Sequence, residues 1–502
     1  MKFITSRVFF IIVAAIVQFA WVFVAYAFLD NKIKYLSEIV VILSVILILW
    51  LVSSKMNPAY KLAWSILIMV VPFFGVVLYI LFGRSHFSNM MKKRRTERLG
   101  ATVYPAEGDG ELFEENVSAS RFERMQKYIE SVSGYPVYAA EDLKYYPLAD
   151  DAAEDILQSL KTAKKSIYLE YFIIGKGKLW NEIHTILKDR VKSGVDVRLI
   201  YDDMGSAGKV PLKYHKKLCA EGIKTVKFNP LFLINSIRAN NRDHRKIMLI
   251  DGKTAFIGGF NLADEYVNIT HPFGHWKDCG LRISGRSVEA FSSMFAEMWH
   301  SLTGEDIDLE FGEKCHEYTG KGFIQAYSDN PLDDTFTGQG VCLEMINSAK
   351  ESVDITTPYF VVDNEIMTAI CNAARSGVKV RLITPGIPDK KFVFLTTQSY
   401  YRQLLESGVE IYQYTPGFIH SKLIVCDKKM ASIGTVNMDF RSLYLHYECG
   451  ALIYDTPVIE DIEKDFEDTV LISQKVDIDF CDNRSKIILG LQSIMRLFAP
   501  MF

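Results

Sequence analysis

The chain opens with three apolar runs. Val8–Leu29 carries no charge over 22 residues. As a helix at about 1.5 Å per residue it would reach about 33 Å, the thickness of a bilayer's hydrocarbon layer. Leu36–Ser53 contains Glu38 alone, and Leu62–Phe82 contains no charge but includes Pro72 and Gly75. A buried lipid-facing helix tolerates both residues better than a soluble one. The pattern predicts transmembrane helices over 8–29, 36–53 and 62–82. Lys2 and Arg7 with Ala25-Tyr26-Ala27 imitate a cleavable leader, but the apolar stretch is long for one and two more runs follow it.

Beyond residue 84 the pattern changes. "RSHFSNMMKKRRTER" (84–98) concentrates six Lys and Arg residues, and the other flanks of the apolar runs hold two each. Positive flanks stay cytoplasmic, which predicts a multi-pass protein of the cell membrane with everything after residue 84 inside. The same cluster suits anionic headgroups. A polar stretch, 99–145, reads as a linker. Then strand and helix patterns alternate. "KSIYLEYFII" (165–174) is β-branched and aromatic, "LWNEIHTILKDRVKSG" (179–194) has helical spacing and ends on Gly, and "VDVRLIYDD" (195–203) is strand-like again. This alternation predicts an α/β fold with a largely parallel sheet.

The alternation repeats. "AKESVDITTPYFVV" (349–362) echoes "AKKSIYLEYFII" (163–174), and "RSGVKVRLITPG" (375–386) echoes "KSGVDVRLIYDD" (192–203). One self-similarity of this size points to duplication. The expected organisation is a membrane domain (1–98), a linker (99–145), two homologous α/β lobes (146–315 and 316–480) related by a pseudo-two-fold axis, and a C-terminal amphipathic helix (481–502). In that last segment Ile487, Leu491, Ile494 and Phe498 share a face with Ile488 and Met495, while Lys486, Gln492 and Arg496 lie elsewhere. Such a stripe fits either a headgroup layer or a protein core.

Composition narrows the field. The 502 residues carry 57 basic and 60 acidic side chains, so no general polycation for nucleic acid is present. Eight cysteines contain no C-x-x-C pair and read as reduced thiols rather than zinc or redox sites. No Walker sequence, dinucleotide loop or G-x-S-x-G elbow occurs.

The candidate chemistry lies in "DHRKIMLID" (243–251) and "IHSKLIVCD" (419–427). On an extended chain, residues two apart share a face, so His244 pairs with Lys246 and His420 with Lys422. An imidazole beside an ammonium suits reaction at an anion: the cation holds the charge while the ring attacks or carries a proton. Asp251 and Asp427 close the two motifs. Gly258-Gly259-Phe260-Asn261 and Gly434-Thr435-Val436-Asn437 follow at matched spacing. Glycines permit close approach, and the amides of Asn261 and Asn437 can donate to phosphate oxygens.

The duplicated H-x-K-x-x-x-x-D resembles the signature of the phospholipase D superfamily. More narrowly, "NPAYKLAWSILIMVVPFFGVVLYILFGR" (57–84), "DHRKIMLIDGKTAFIGGFNLADEY" (243–266), "GHWKDCGLRISG" (274–285) and "GTVNMDFRSLYLHYE" (434–448) resemble the bacterial cardiolipin synthases. His446-Tyr447 departs from the Asn-Phe expected there. The resemblance implies phospholipase D-type lobes and metal-independent phosphatidyl transfer between two phosphatidylglycerol molecules through a phosphohistidine. It implies His244, Lys246, Asp251, His420, Lys422 and Asp427 as catalytic residues, although Asp251 and Asp427, at the far end of a strand, are equally suited to securing the loop there. His244 is the expected nucleophile and His420 the acid and base, although the near-symmetry of the halves leaves the reverse order open. Asn261 and Asn437 would bind phosphate, and Asp278 and Glu448 would orient the histidines. No cofactor, metal or nucleic acid is implied, and the oligomeric state is left open. Two other readings remain: a hydrolase or transphosphatidylase of other headgroup specificity using the same residues, and a non-catalytic membrane scaffold.

Overall fold

The computed structural model describes residues 31–54, 56–83, 108–116, 119–230, 240–309, 320–332 and 335–501. The apolar run 8–29 and the basic cluster 84–98 lie outside them. The described residues form two compact units. One comprises 31–83, 240 and 497–501; the other comprises 108–230 and 241–496.

In the first unit, helix Asn31–Ser53 precedes helix Pro58–Val70. Asn57 caps the second of these, its side chain accepting from Ala59 N at 2.8 Å, with Pro58 at the first helical position. The expected 62–82 helix is not continuous. It breaks at Val71 (φ −136°, ψ 69°), restarts as Pro72–Leu78, and ends in the π-helical turn Tyr79–Gly83. Pro72 supplies no N–H and pushes its predecessor out of the helical region. A Cβ on Gly75 would lie 2.5 Å from Ile68 Cα. Seven residues of straight helix would separate those positions by about 10 Å, so the chain folds sharply at the proline. Leu51, Trp64, Ile68 and Tyr79 form the buried cluster, while Ile42, Leu49, Val52 and Val70 stay exposed. Among the described residues no helix is long and apolar enough to cross a membrane.

The second unit holds two α/β lobes built on one plan. The first sheet runs in the order Asp142–Tyr146, Gly280–Ser284, Thr254–Gly258, Lys246–Ile250, Ser166–Tyr171, Asp196–Asp202, Lys224–Phe228. The second repeats that order with Phe323–Asp329, His446–Tyr454, Met430–Gly434, Leu423–Cys426, Ser352–Thr356, Lys379–Pro385 and Glu410–Tyr414. In both, the strand that begins the lobe's βαβ unit pairs in parallel with the next and antiparallel with the strand of the His–Lys motif. The central strands are buried on both faces, so they read as apolar runs rather than alternations. Helix Val288–Thr303 is nearly all buried. Its Phe291, Met294 and Phe295 pack in one core with Leu249 and Ile257 of the first lobe and Ile324, Ala431, Ile453 and Ile462 of the second. Fully burying a side chain of this kind contributes about 1.5–3 kcal/mol, so the lobes share a core and are not beads on a string.

The stretch expected to be a linker is ordered where it is described. It contains helices Gly110–Asn116 and Ala119–Ser133, and strand Val137–Ala139 joins the edge of the second lobe's sheet beside Phe323–Asp329. Strand Asp142–Tyr146 then edges the first sheet, so that lobe begins before residue 146. Three residues are too few for an alternation to be read. Asp109 fixes this edge: its buried carboxylate accepts from Ala139 N at 2.9 Å and pairs with Arg286 at 2.8 Å. The seven described cysteines are free.

Removing one partner of a buried ion pair costs about 3–5 kcal/mol. Asp109→Ala is therefore expected to lower the thermal midpoint of the detergent-solubilised protein, and Arg286→Met with it to recover part of the loss. An unchanged midpoint in the single variant would show the edge strand to be dispensable.

Candidate active site

Each His–Lys motif is held by the opposite lobe. The short strand Arg242–Asp243 pairs with the start of His446–Tyr454, and Gly417–Ile419 pairs with His275–Lys277. The next residue repeats the pattern: His244 N donates to Tyr447 O at 2.9 Å, and His420 N to Lys277 O at 2.7 Å. Each imidazole then meets the carboxylate one residue further along its partner. His244 Nδ1 is 3.0 Å from both oxygens of Glu448, and His420 Nδ1 is 2.6 Å from Asp278 Oδ2. Both carboxylates are fully buried and both rings nearly so. With Nδ1 committed as donor, Nε2 carries the lone pair of a neutral ring.

The carboxylates are themselves held. Glu448 accepts from Thr435 Oγ1 and from Ser442 Oγ, the former at 2.5 Å and the latter at 2.6 Å. Asp278 accepts from Cys279 N at 3.0 Å. The glycines after each motif make room. A Cβ on Gly259 would stand 2.1 Å from Asp278 Oδ1, and one on Gly434 would stand 2.3 Å from Cys449 O. Where the first lobe has Gly259 beside the shorter aspartate, the second has Thr435 bonded to the longer glutamate.

Lys246 Nζ and Lys422 Nζ fold back onto the carbonyls of His244 and His420, and Lys422 Nζ also lies 2.8 Å from His420 Nδ1. Burial costs these ammonium groups dearly. It brings Lys246 down to about 7 and Lys422 to about 8; Glu448 and Asp278 pull both back up, and Lys422 lowers Lys246 further. Burial, then Lys246, Lys422 and His420, push His244 well below the ordinary imidazole range. Burial and Lys422 lower His420 to about 4 against the pull of Asp278. Burial opposes ionisation of Asp278, but Lys422 and His420 hold it below its usual value. The mutual influence of the two motifs places them in one electrostatic site. Its buried lysines have no carboxylate hydrogen-bonded to Nζ among the described residues and can direct their charge to a phosphate anion.

Aromatic rings close the surroundings. Phe172 lies 5.1 Å from the His244 ring, and Trp276, Tyr266 and Phe418 lie 5.2, 5.5 and 5.7 Å from that of His420. Asn261 Oδ1 accepts from Ile173 N at 2.9 Å, and its side chain also acts on the Tyr266 hydroxyl. Asn437 N donates to Ser442 Oγ at 2.8 Å, and the Asn437 side-chain Oδ1 is buried without a donor at hydrogen-bonding geometry. Spacing alone had not singled out Phe172, Ser442 or Lys390, whose charge also acts on His244. His275 is engaged elsewhere, 2.8 Å from Tyr414 Oη.

Asp251 and Asp427 do not join the centre. Each begins a tight turn at the far end of its strand with a left-handed φ, +54° and +48°, about 16 Å along the chain from its lysine at 3.3 Å per residue. The Asp251 carboxylate accepts from the backbone N–H groups of Lys164, Lys165 and Ser166 at 2.6–3.0 Å. Asp427 does the same for Lys350, Glu351 and Ser352 at 2.6–2.8 Å. They pin the start of the neighbouring strand, the securing role that the sequence left open for them beside catalysis.

His446 is the departure from the expected pattern. Its ring lies 5.6 Å from that of His244, with Nδ1 3.6 Å from Glu448. His244, His446 and Glu448 bring three donor atoms within 4.8 Å of one another. Glu448 is already occupied by Ser442, Thr435 and His244, and the nearby lysine charge disfavours a cation, so these residues do not form a good metal cradle.

A duplicated α/β fold in which two His–Lys motifs act on one another defines an enzyme of phospholipase D type, and the comparisons make it a phosphatidyltransferase. The profile of the cardiolipin synthase, phospholipase D-like domain matches residues 156–299 and 342–470, and that of the phospholipase D-nuclease N-terminal region matches 41–84. An uncharacterised protein of Streptococcus mutans is 36% identical over 460 residues, 90% of this chain and 99% of its own. The cardiolipin synthase of Geobacillus sp. (strain WCH70) is 32% identical over 499 residues, 98% of this chain and 99% of its own. The crystal structure of phosphatidylserine synthase from Haemophilus influenzae shares the fold with a TM-score of 0.60 at 15% identity, covering 76% of this chain and all of that one. The chain belongs to the cardiolipin synthase family.

Two substitutions separate the roles. Gly259→Ala forces Asp278 away from His420 and is expected to lower the kcat of the folded enzyme by about 100-fold or more, beside the stability cost of crowding a buried carboxylate. Asp427→Ala leaves three backbone donors unpaired, at about 1–3 kcal/mol, and is expected to lower the midpoint while the folded enzyme keeps its kcat within about twofold. The opposite pattern in the pair would restore Asp427 to the chemistry.

Proposed function

We propose that this protein joins two phosphatidylglycerol molecules into cardiolipin and releases glycerol. His244 Nε2 attacks the phosphorus of the first lipid. The P–O bond to the headgroup glycerol breaks, and His420 gives its proton to the leaving oxygen. The phosphatidyl group now rides on His244. The glycerol hydroxyl of the second lipid loses its proton to His420 and attacks phosphorus, which frees His244. Lys246, Lys422, Asn261 and Asn437 hold the non-bridging oxygens. The observation that carries the reading is the exchange of carboxylates, with Glu448 behind His244 and Asp278 behind His420.

The asymmetry between the rings supports this order. Burial and the charges of Lys246 and Lys422 hold His244 in the neutral form a nucleophile requires, and His420 keeps the closer carboxylate. A phosphodiester entering the site brings the negative charge that returns His420 toward protonation. Phe172, Trp276, Tyr266 and Phe418 crowd the rings and limit water at the phosphohistidine, which favours a lipid hydroxyl as acceptor over hydrolysis. The enzyme sits at the cell membrane as a multi-pass protein whose catalytic lobes face the cytoplasm. Apolar runs 8–29 and 36–53 and the basic cluster 84–98 support that placement. The cluster also suits anionic lipids.

Purified protein in phosphatidylglycerol vesicles is expected to yield cardiolipin and glycerol in equal amounts. Phosphatidic acid without cardiolipin would make it a hydrolase. A working enzyme that survives both His244→Ala and His420→Ala would make the motifs non-catalytic, as a scaffold requires. The lysines make a second prediction. Their protonated forms bind an anion, and with values of about 7 and 8 in the free site they lose that proton as pH rises. Affinity for tungstate, a phosphate mimic, should weaken between about pH 6.5 and 9, and binding near pH 8 should take up protons. Titration calorimetry in two buffers of different ionisation enthalpy measures both; affinity flat across that range would contradict the assigned charges.

A further inference from the structure

The C-terminal helix Lys486–Leu497 presents the wrong face to water. Gln492 is buried, 4% exposed, and donates its amide to Leu395 O at 3.1 Å. Arg496 lies over the Tyr400 ring at 4.3 Å and donates to Gln403 Oε1 at 3.1 Å. Met495 is the one buried apolar residue of the helix. Ile487 and Ile494 are 84% and 60% exposed, and Ile488, Leu489 and Leu491 are exposed with them. An ordinary surface helix does the reverse, burying its apolar stripe and turning its polar side chains outward. A contiguous apolar face of this kind marks a surface that something covers.

Two observations identify the cover. The helix is followed without a break by Ala499–Met501, and Met501 packs in the first unit against the Leu51, Trp64, Ile68 and Tyr79 cluster. That unit turns Ile42, Leu49 and Val52 outward as well. The helix is therefore covalently continuous with the most apolar part of the chain. It is also tied to the active site. Gln492 and Arg496 hold helix Lys391–Gln398 and the residues just after it, whose Phe392 is itself exposed. Lys390, at the head of that helix, donates to Tyr359 Oη at 2.8 Å and acts electrostatically on His244.

We propose that Ile487, Ile488, Leu491 and Ile494, with Phe392 beside them, form a face that inserts into the headgroup layer of a lipid bilayer and sets the active site against it. The inference rests on the reading of the substrate as a membrane phospholipid. Amphipathic insertion gains from apolar burial and from the exposed Lys486 meeting anionic headgroups. Docking there would deliver bilayer lipid to a site that diffusing water-soluble substrate reaches without help.

The test compares two forms of one substrate with the full-length enzyme. Phosphatidylglycerol is offered in vesicles, or with short acyl chains as monomers in water. The double substitution Ile487→Glu with Ile494→Glu is expected to lower turnover on vesicles by about tenfold or more and to leave turnover of the monomeric lipid within about twofold. In a separate variant, Ile494→Trp, the added fluorescence is expected to be quenched by lipids brominated near the top of the acyl chain. Equal loss on both substrates, no loss on vesicles, or no added quenching would overturn the proposal. So would dissociation of an oligomer in detergent by the double substitution, which would make the face a contact between copies. A wild-type enzyme that makes cardiolipin from neither form defeats the assigned reaction instead, and the quenching still reports on the helix.

Discussion

Everything at the active centre depends on an exchange between lobes: each imidazole takes its carboxylate from the other half of the chain. His244 reaches Glu448 and His420 reaches Asp278, and in both cases a main-chain hydrogen bond to the preceding residue sets the register. A lobe alone would have its histidine without the group that fixes the ring's tautomer and tilt. It would also expose Phe291, Leu249, Ala431 and Ile453, which now fill one shared core. Duplication thus created two half-sites, and the interface between them creates one whole site.

The electrostatics follow from that burial. Four cationic or potentially cationic groups are held in a nearly dry site with two carboxylates. The lysines are drawn down toward neutrality and the histidines are kept uncharged. On the proposed mechanism an anionic phosphodiester relieves this frustration, and binding is linked to protonation. A site preorganised for an anion in a low-dielectric setting needs little rearrangement when charge builds on phosphorus. The small differences between halves, Gly259 with Asp278 against Thr435 with Glu448, give otherwise similar rings different surroundings, and acid–base chemistry needs such a difference.

Much of this was legible in the chain. The paired H-x-K motifs, the echo of 163–174 in 349–362 and the later acidic residues outline two matching α/β lobes, and the strand order of the two sheets is the same. What escaped was chiefly non-local. No spacing reveals that Glu448 serves His244 rather than His420, because that pairing is made across an interface. The sequence left Asp251 and Asp427 between chemistry and securing a loop, and the contacts that pin a strand start lie some 75–87 residues away along the chain. Strand Val137–Ala139 was hidden by its length, and its sheet partner lies nearly 190 residues away. The 62–82 run kept its composition but not its continuity, since one proline outweighs the apolar pattern around it. The C-terminal stripe was visible, but only packing could say which side faces the protein.

The exchange makes a claim about stoichiometry that a single measurement can reach. Rapid quench with labelled phosphatidylglycerol, followed by alkaline digestion and peptide mapping, counts and locates the phosphohistidine. One adduct per chain is predicted, on the peptide carrying His244, and its formation should slow in Glu448→Gln, a change made in the other lobe. Two adducts per chain, or a rate of formation indifferent to Glu448→Gln, would mean that each lobe works alone, contradicting the shared centre.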